Sequence, residues 1–561
     1  MQTFKDKQQD LFKWEHLPDK TLSWLQINWP GVWRREVIAL IDEAAFSDLY
    51  CAHDGRASKA TADMVGILIL KEMEDLTDEE TAQRVMLDVG WQYALDMAPA
   101  EAYVAVRTLQ YFRANVIRSR KHKALFARIT DRIIATMNIG HTLQRKDSTH
   151  ILSNMARLTR LGLFTQTITL FLNQLRKREP KKYDNLDLDI RHRYTERKSG
   201  TFADARGSES HRRLDQCAAD AWLLLERFKK SKNARALDGY QLLRRLFNEQ
   251  CKIETGDTIV LRKDVPVHSL QSPHDPDAGY SGHKGKGYQA QLTETCDPAN
   301  PMQAITHVAV ESAAESDAES PVRDTEELEP RRLKPEELQC DTAYNGGDND
   351  VALRDMGVEL IGPAAGKEPA AGTAAIGRFE TTFNLKEITH CPRGITPLHT
   401  NYDPDWDTVA ALFDKDTCAH CDLRNICGVK RHKQGYALNY ARRAMATSKR
   451  RLTEQTEQYK ARYALRAGIE ATNSELKRAH GMGRLRVRGR PAVEFAIFMK
   501  TTACNIKRML RLRVEQARNA ARDENAAACA VSQPQNALAA ALGRFRLLAS
   551  RLSARSWRFA A

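Results

Sequence analysis

The chain has 561 residues, 42% of them hydrophobic, and 86 Lys and Arg against 72 Asp and Glu give it a formal net charge of +14. Mean hydropathy is −0.54, and the longest apolar run, 64–70, is far shorter than the roughly 20 residues of a membrane-spanning helix. The N-terminus has no apolar segment typical of a secretory signal. The 11 cysteines are mostly scattered, which predicts reduced thiols and a cytoplasmic location.

Residues 1–125 form the first predicted region. Apolar residues recur three to four positions apart in 33–42, 60–74 and 77–87, a spacing typical of amphipathic helices. Such a domain either binds DNA and mediates dimerisation or forms a plain helical bundle. The residues leave both interpretations open.

The segment around Asp147 lacks helical periodicity, and β-branched residues follow the aspartate closely. This pattern predicts a strand, although the preceding Gln144, Arg145 and Lys146 are more polar than the residues of a buried strand usually are. From 155 to about 255 the chain is rich in Leu and Arg, and we expect a helical insertion there, followed by a short strand at 258–261.

Residues 287–295 and 304–310 alternate with period two and predict a hairpin. The glycine-rich segment before them, 282–287, is not expected to be a phosphate loop, because no Lys-Ser/Thr pair follows and the next element is a strand. Residues 311–337 are dominated by Glu, Asp, Ala and Pro and predict a solvated helix plus linker. A strand ending at Asp341 is expected next, then a helix and a further strand.

One helix-like segment near the C-terminal end carries Tyr463, Arg466, Glu470 and Lys477. At about 100° per residue these side chains fall within a sector of about 60°. An acid flanked by two cations and a phenol on one face is what a helix would need to hold a divalent cation and grip phosphates. The alternative is a solvated face with an ordinary ion pair between Arg466 and Glu470.

Basic charge is concentrated around this segment. Residues 441–513 hold 19 Lys and Arg against 5 Asp and Glu, so they account for the whole net charge. Just after the helix, alternate positions are arginines, and extended backbone would place their guanidiniums on one side at a spacing of roughly 6.6 Å. Such a block predicts a nucleic-acid partner. The alternating residues are Arg484, Arg486, Arg488 and Arg490.

Asp147, Asp341 and Glu470 are candidates for a metal-binding triad. They occur in the order strand, strand, basic helix, with a hairpin between the first two. Three carboxylates holding two divalent ions would activate water or a 3′-hydroxyl for in-line phosphoryl transfer. Hard oxygen ligands favour Mg²⁺ or Mn²⁺.

These blocks resemble those of the DDE transposases of bacterial insertion sequences. The similarity lies in the Asp147 block, in residues 272–289, in the block from Asp341 to Tyr344, and above all in the Tyr-x2-Arg-x3-Glu-x6-Lys spacing. The N-terminal region, from Gly55 to Asp96, is similar to the corresponding part of many such enzymes. Together the blocks cover most of residues 1–512.

The resemblance implies an α/β (α+β overall) fold with an RNase H-like mixed-sheet catalytic core in residues 126–512. That core would follow the helical domain of residues 1–125 and carry a helical insertion at about 155–255 and a cysteine-rich insertion at about 380–435. Residues 513–561 would form a basic tail of low complexity. Implied partners are double-stranded DNA, as inverted-repeat ends and target, and a second copy in a synaptic homodimer, with no membrane and a cytoplasmic, nucleoid-associated location.

By the same resemblance, Asp147, Asp341 and Glu470 would be the catalytic carboxylates that bind Mg²⁺ or Mn²⁺ for cut-and-paste transposition. Tyr463, Arg466 and Lys477 would contact the transposon end. Two other functions are compatible with the residues: a DNA-binding regulator or domesticated remnant without chemistry, and a metal-dependent nuclease without joining activity.

Four cysteines cluster between Asp341 and Glu470. The step from Cys418 to Cys421 suits a metal knuckle, and Cys391 would supply another thiolate, while the spacing to Cys427 is not standard. The pattern indicates a structural zinc or iron–sulfur site, with four buried free thiols as the alternative.

Overall fold

The structure is a computed structural model that describes residues 2–5, 13–50, 58–196, 209–255, 258–366, 373–520 and 522. Its N-terminal part is helical, as predicted, and the buried side chains of these helices are largely apolar. A π-helical turn (Trp33–Val37) and a 3₁₀ helix (Glu43–Leu49) join the α-helices α1 (Asp19–Ile27), α2 (Trp29–Val32), α3 (Ile38–Leu40), α4 (Thr61–Glu74), α5 (Asp78–Leu87), α6 (Val89–Ala94), α7 (Val106–Ser119) and α8 (Lys121–Thr136).

A first strand, β1 (Leu143–Ile151), is followed by the predicted helical insertion. Phe171, Leu224 and Leu246 are fully buried in its apolar core. A short antiparallel ribbon of two strands ends the insertion. The elements are α9 (Arg160–Arg178), α10 (Pro180–Asp184), α11 (Leu188–Arg191), a π-helical turn (His192–Glu196), α12 (Ser210–Phe228), α13 (Lys232–Arg235), α14 (Asp238–Gln250), β2 (Cys251–Glu254) and β3 (Thr258–Leu261).

The predicted hairpin and the strand–helix–strand unit after it both form. They comprise β4 (Gly279–Ser281), β5 (Gly285–Thr295), β6 (Ile305–Ser312), a 3₁₀ turn (Asp317–Glu319), α15 (Ser320–Leu328), a 3₁₀ turn (Glu329–Arg331), β7 (Glu337–Gln339), a 3₁₀ turn (Thr342–Tyr344), α16 (Gly347–Asp355) and β8 (Glu359–Ile361).

The remainder of the described chain contains a group of short strands at 380–441, which we call the β insertion, and the helices that follow it. A 3₁₀ helix (Thr373–Arg378) precedes β9 (Glu380–Thr381), β10 (Ile388–His390), β11 (His399–Asp403), β12 (Thr408–Phe413), α17 (Lys415–Ala419), β13 (Lys430–His432), β14 (Gly435–Ala441), α18 (Arg442–Thr453), α19 (Glu457–Ala464), a 3₁₀ turn (Leu465–Ala467) and α20 (Gly468–Ala479). The last helix, α21, covers residues 490–520.

The main sheet has the order β6-β5-β1-β7-β8, with β4 paired to the start of β5. The pairs β6–β5 and β5–β1 are antiparallel, whereas β1–β7 and β7–β8 are parallel. Helices connect the parallel strands, as parallel pairing requires. The fold is therefore a mixed α+β fold with an RNase H-like core, as expected.

The polar start of β1 is accommodated by buried partners. Gln144 donates to the Leu333 carbonyl, Arg145 binds Glu294, and Lys146 binds Asp324. Because each polar group is paired, these side chains tolerate burial in the sheet. The polarity of this segment thus reflects specific buried pairs rather than an edge position.

The expectation of a solvated helix plus linker at 311–337 was wrong. Helix α15 forms, but Asp324, Thr325 and Leu328 on it are buried. Asp324 faces β1 and neutralises Lys146 there, whereas Glu326 and Glu327 on the same helix are exposed. The acidic composition therefore concealed one buried acid with a structural partner.

By internal contacts the chain divides into two compact units: residues 1–67, 78–108 and 506–561, and residues 68–77 and 109–505. The second unit contains the main sheet, whose core includes Tyr288, Leu292 and Ile497. Within the parts of the chain that the structure describes, no helix combines the length and apolar content needed to cross a membrane. The tail of residues 513–561 lies outside the described residues from 523 onward.

Candidate active site

The register of two parallel strands places Asp147 beside Asp341. Arg145 on β1 pairs with Gln339 on β7, and each aspartate lies two residues further along its chain. Neighbouring strands lie about 4.8 Å apart, and residues two apart share a face. The two carboxylates therefore lie side by side, although 193 residues separate them in the sequence. Asp341 also caps the 3₁₀ turn, accepting from the Ala343 amide at 2.9 Å.

A network of hydrogen bonds docks the third acidic residue against this pair. Arg145 donates to Glu294 at 2.7 Å and to the Leu465 carbonyl at 2.8 Å. Thr472 on α20 donates to the other oxygen of Glu294 at 2.5 Å. Gly468 leaves room for this guanidinium, since a Cβ there would lie 2.0 Å from Arg145 Nη1 and would displace it. The turn that carries Arg466 and the helix that carries Glu470 are thereby fixed to β1.

The structure brings Asp147, Asp341 and Glu470 around one side chain, Arg466. The Arg466 Nη2 atom lies 3.2 Å from Asp147 Oδ1 and 3.7 Å from Asp341 Oδ2, and its Nη1 atom lies 3.3 Å from Glu470 Oε1. The predicted single helix is interrupted by the 3₁₀ turn Leu465–Ala467. Tyr463 consequently lies on α19, Arg466 in the turn and Glu470 on α20. We call Asp147, Asp341 and Glu470, together with Arg466, the carboxylate site.

The three carboxylates differ in their exposure to solvent. The exposed fraction of the side chain rises from 15% for Asp147 to 39% for Asp341 and 68% for Glu470. Burial raises the pKa of Asp147, and the positive charge of Arg466 offsets this only in part. Burial opposes the charge of Arg466, but Asp147 and Asp341 raise its pKa above the ordinary value. The site is thus reached from the side of Glu470, its most exposed carboxylate.

Asn473 belongs to this site and was missed in the sequence. Its Nδ2 atom donates to Asp147 Oδ2 at 3.0 Å, so Asp147 is held by Arg466 through one oxygen and by Asn473 through the other. Asn473 stands three residues after Glu470, which places both on one helix face. That spacing was the available signal, but an amide on a polar helix is too common to single out.

Tyr463 and Lys477 flank the carboxylates. Burial raises the pKa of Tyr463, with the charge of Asp341 adding to the effect. Lys477 is exposed on α20. Burial lowers the pKa of His150 on β1, and the charge of Lys477 lowers it further. Lys477 therefore lies on the side of α20 near His150.

The alternating arginines are exposed, while the residues between them are buried or half-buried. Arg486 is already engaged within the protein, because it binds Asp75 at 2.8 Å. Arg490 donates to the Val310 carbonyl. Arg484 forms an isolated bridge with Leu152 through its backbone, and the segment is not part of a longer strand. Arg484 and Arg488 thus present side chains to solvent next to the end of β1.

Cys391, Cys418, Cys421 and Cys427 line one cavity in the β insertion. Among the described residues, one group of three metal-type side chains has its ligand atoms within 4.8 Å of one another, and it consists of Glu475, His480 and Cys504. No three of the four clustered sulfurs are therefore that close. The glycine-rich segment 282–287 turns from β4 into β5 and precedes no helix, which confirms that it is not a phosphate loop.

Two family models match the chain. Residues 390–510 match one described as "Transposase DDE domain", a range that includes Glu470 and the four cysteines but neither Asp147 nor Asp341. Residues 26–115 match one described as "Transposase domain (DUF772)". The chain has no match among the curated proteins or the solved structures with which it was compared.

Proposed function

Because the chain belongs to the DDE transposases of insertion sequences, we propose that it binds the inverted-repeat ends of its element and catalyses metal-dependent DNA cleavage and strand transfer. The observation that carries this proposal is the convergence of three carboxylates on one cation, Arg466. The three residues come from two parallel strands and a basic helix that are far apart in sequence.

The charge of the carboxylate site supports a divalent cation. Asp147, Asp341 and Glu470 carry three negative charges, and Arg466 carries one positive charge. Two negative charges therefore remain unbalanced. Asp147 Oδ1 and Asp341 Oδ2 both lie within 4 Å of the same guanidinium nitrogen, so both oxygens face one cation position. Their hard oxygens fit Mg²⁺ or Mn²⁺.

When bound, the divalent ions supply activation of water or of a 3′-hydroxyl and stabilisation of the leaving oxygen. Asp147 and Asp341 would hold the ions, and the exposed Glu470 would complete the ligand set. Asn473 orients Asp147 through its second oxygen. Arg466 bridges the carboxylates in this structure, and it would be free to bind a DNA phosphate once a cation took its place.

The surrounding surface would hold the DNA. Lys477 lies two helical turns from Glu470, and the exposed Arg484 and Arg488 continue from it along the segment before α21. Tyr463 would contact a distorted base of the transposon end. We propose residues 1–125 as the DNA-binding and dimerisation domain, residues 126–512 as the catalytic domain, and a homodimer as the synaptic form.

The test is an assay of purified protein on DNA carrying the inverted-repeat ends, with Mg²⁺ and a supercoiled target. We expect cleavage at the ends and joined products from the wild type, and neither from Asp147→Asn or Asp341→Asn. Matched Asp348→Asn, on the exposed start of α16, should retain activity. End binding without cleavage by the wild type would indicate a regulator, and cleavage without joined products a nuclease.

A further inference from the structure

The β insertion contains a thiol cluster that the proposed transposition chemistry does not use. Cys391 follows strand β10, Cys418 lies on α17, and Cys421 and Cys427 lie in the loop that leads to β13. All four side chains line a single cavity, and the rest of its lining is largely apolar, with Phe413, Ile395, Leu423 and Val429 among the residues. Two chain segments that are 27 residues apart therefore line one cavity with their cysteines.

All four cysteines are free thiols; Cys418 is buried, and Cys391, Cys421 and Cys427 are partly buried. Other buried thiols, such as Cys217 and Cys251, are part of the apolar core of the helical insertion. Four thiols that share one cavity would repel as thiolates unless a cation lay between them.

Tight turns aim these thiols at the cavity. The Arg393 amide donates to Cys391 Sγ at 3.4 Å, and Gly394, at φ +77°, closes the turn by donating to the Cys391 carbonyl. On the other side, the Cys421 amide donates to the Cys418 carbonyl at 3.3 Å. Amide donation to sulfur stabilises the thiolate form that binds metals.

Cationic groups lie at the rim of the cavity. The Arg393 guanidinium binds Asp422, which joins the turn after Cys391 to the loop after Cys421. Arg424 lines the same cavity and donates to the Ala419 carbonyl at 3.1 Å. Because Asp422 offsets the charge of Arg393, this ion pair ties the two cysteine-bearing segments together without leaving a second net positive charge at the rim.

We infer that Cys391, Cys418, Cys421 and Cys427 bind a structural metal centre of the four-thiolate class. The centre joins the β10 turn to the segment from α17 to β13 and so closes the small core of the insertion, which contains Phe379, Phe413 and Leu438. This inference stands independently of the catalytic proposal, because none of its ligands contacts the carboxylate site.

The sulfur separations bear on which metal is bound. Tetrahedral zinc with bonds of about 2.3 Å holds its sulfurs about 3.8 Å apart, closer than the structure brings any three of these four. Zinc binding would therefore need the sulfurs to move closer together, whereas an iron–sulfur cluster spreads its thiolates around a polynuclear core. The shared chemistry is four thiolates, which release their protons on metal binding.

The test is elemental analysis of the full-length wild type purified with and without oxygen. One zinc per chain, or iron with equal acid-labile sulfide and visible absorption, supports the centre, and these arms distinguish the two metals. Zinc, iron and sulfide all below about one tenth per chain in both preparations would overturn it. Because this measurement uses only the wild type, its result does not depend on whether the variants fold or on whether the protein cleaves DNA.

Variants then locate the ligands. Cys418→Ser combined with Cys421→Ser should lose at least nine tenths of the metal, and Cys251→Ser, a buried thiol in the helical insertion, should retain it. If the double variant does not fold, thiol alkylation of the wild type replaces it. The four thiols should be protected until a chelator or acid removes the metal, and protection that does not change on metal removal would contradict the assignment.

Discussion

Lys146 and Asp147 are neighbours on β1, yet their side chains enter two charge clusters of opposite character. Successive residues of a strand point to opposite faces. Lys146 is fully buried against Asp324, whereas Asp147 faces the carboxylate site.

The cluster around Lys146, which we call the structural cluster, balances its charges. Asp324 binds Lys146 and also Arg323 at 2.6 Å, and it lies 3.5 Å from His307. The cluster contains three cations, Lys146, Arg323 and protonated His307, and three acids, Asp324, Glu311 and Glu327. The carboxylate site instead has three acids, one cation and an opening to solvent. Balanced, buried charge marks a structural role, while unbalanced, accessible charge marks a place for an external ion.

Breaking the balanced cluster should have the largest effect on stability. Lys146→Met removes one partner of a buried pair and leaves Asp324 under-compensated, so we expect the free energy of unfolding to fall by about 3 kcal/mol. Lys460→Met is the matched control, because Lys460 forms an exposed pair with Glu457 and should change stability by less than about 0.5 kcal/mol. Denaturant titration measures both, and equal losses would remove the distinction between buried and exposed pairs.

In the carboxylate site, loss of the cation should strengthen the binding of a metal ion. Arg466→Ala removes the group that competes with a divalent ion, and we expect Mn²⁺ to bind the DNA-free protein about tenfold more tightly, equal to about 1.4 kcal/mol. Cleavage should fall, since the phosphate contact is lost. Arg462→Ala, whose guanidinium binds Glu337 and Glu359, is the control. Unchanged or weaker Mn²⁺ binding by the Arg466 variant would show that the carboxylates are not a cation site.

The structural cluster should also give a pH signature through His307. Burial by itself lowers the pKa of His307, but Asp324 and Glu327 outweigh it and raise the pKa above 6.5. Its stabilisation is therefore complete below pH 6.5 and is lost as the pH rises through the raised pKa. The excess stability of the wild type over His307→Gln should shrink by on the order of 1 kcal/mol across that interval.

His122 supplies a control of opposite sign. Burial lowers the pKa of His122, so its contribution is present above pH 6.5 and is lost as the pH falls below that value. Thermal unfolding of both His→Gln variants between pH 5 and 9 measures the two trends. Parallel profiles for wild type and His307→Gln would contradict the charge-balanced account of the cluster.

The smallest effects are expected on the exposed arginines. Arg484→Ala and Arg488→Ala should each reduce the slope of end binding against salt concentration by about one phosphate contact. Arg486→Ala should reduce it less, because Arg486 binds Asp75. Binding curves at four salt concentrations measure the slopes, and the same loss from all three would mean that the Asp75 pair opens on DNA.

The sequence predicted the secondary structure around these two clusters but not which residues pair within them. Period-two alternation predicted the hairpin of β5 and β6, and the shared face of Arg466 and Glu470 predicted that these two residues act together. Pairing of Lys146 with Asp324 depends on a contact across 178 residues, which no local pattern shows. The acidic composition around Asp324 therefore suggested solvent exposure. The register of Arg145 on Gln339, which aligns Asp147 with Asp341, likewise depends on tertiary pairing.

The central claim is that the carboxylate site binds a divalent ion for DNA cleavage, and Asp341→Cys tests it most directly. A thiolate is a poor ligand for Mg²⁺ and a better one for softer ions such as Mn²⁺. Asp341 lies just after β7 and is partly exposed, so the change removes little packing. End cleavage by this variant, measured beside the wild type in each metal, should be absent with Mg²⁺ and restored in part with Mn²⁺. Cleavage at the wild-type rate with Mg²⁺ would contradict the claim.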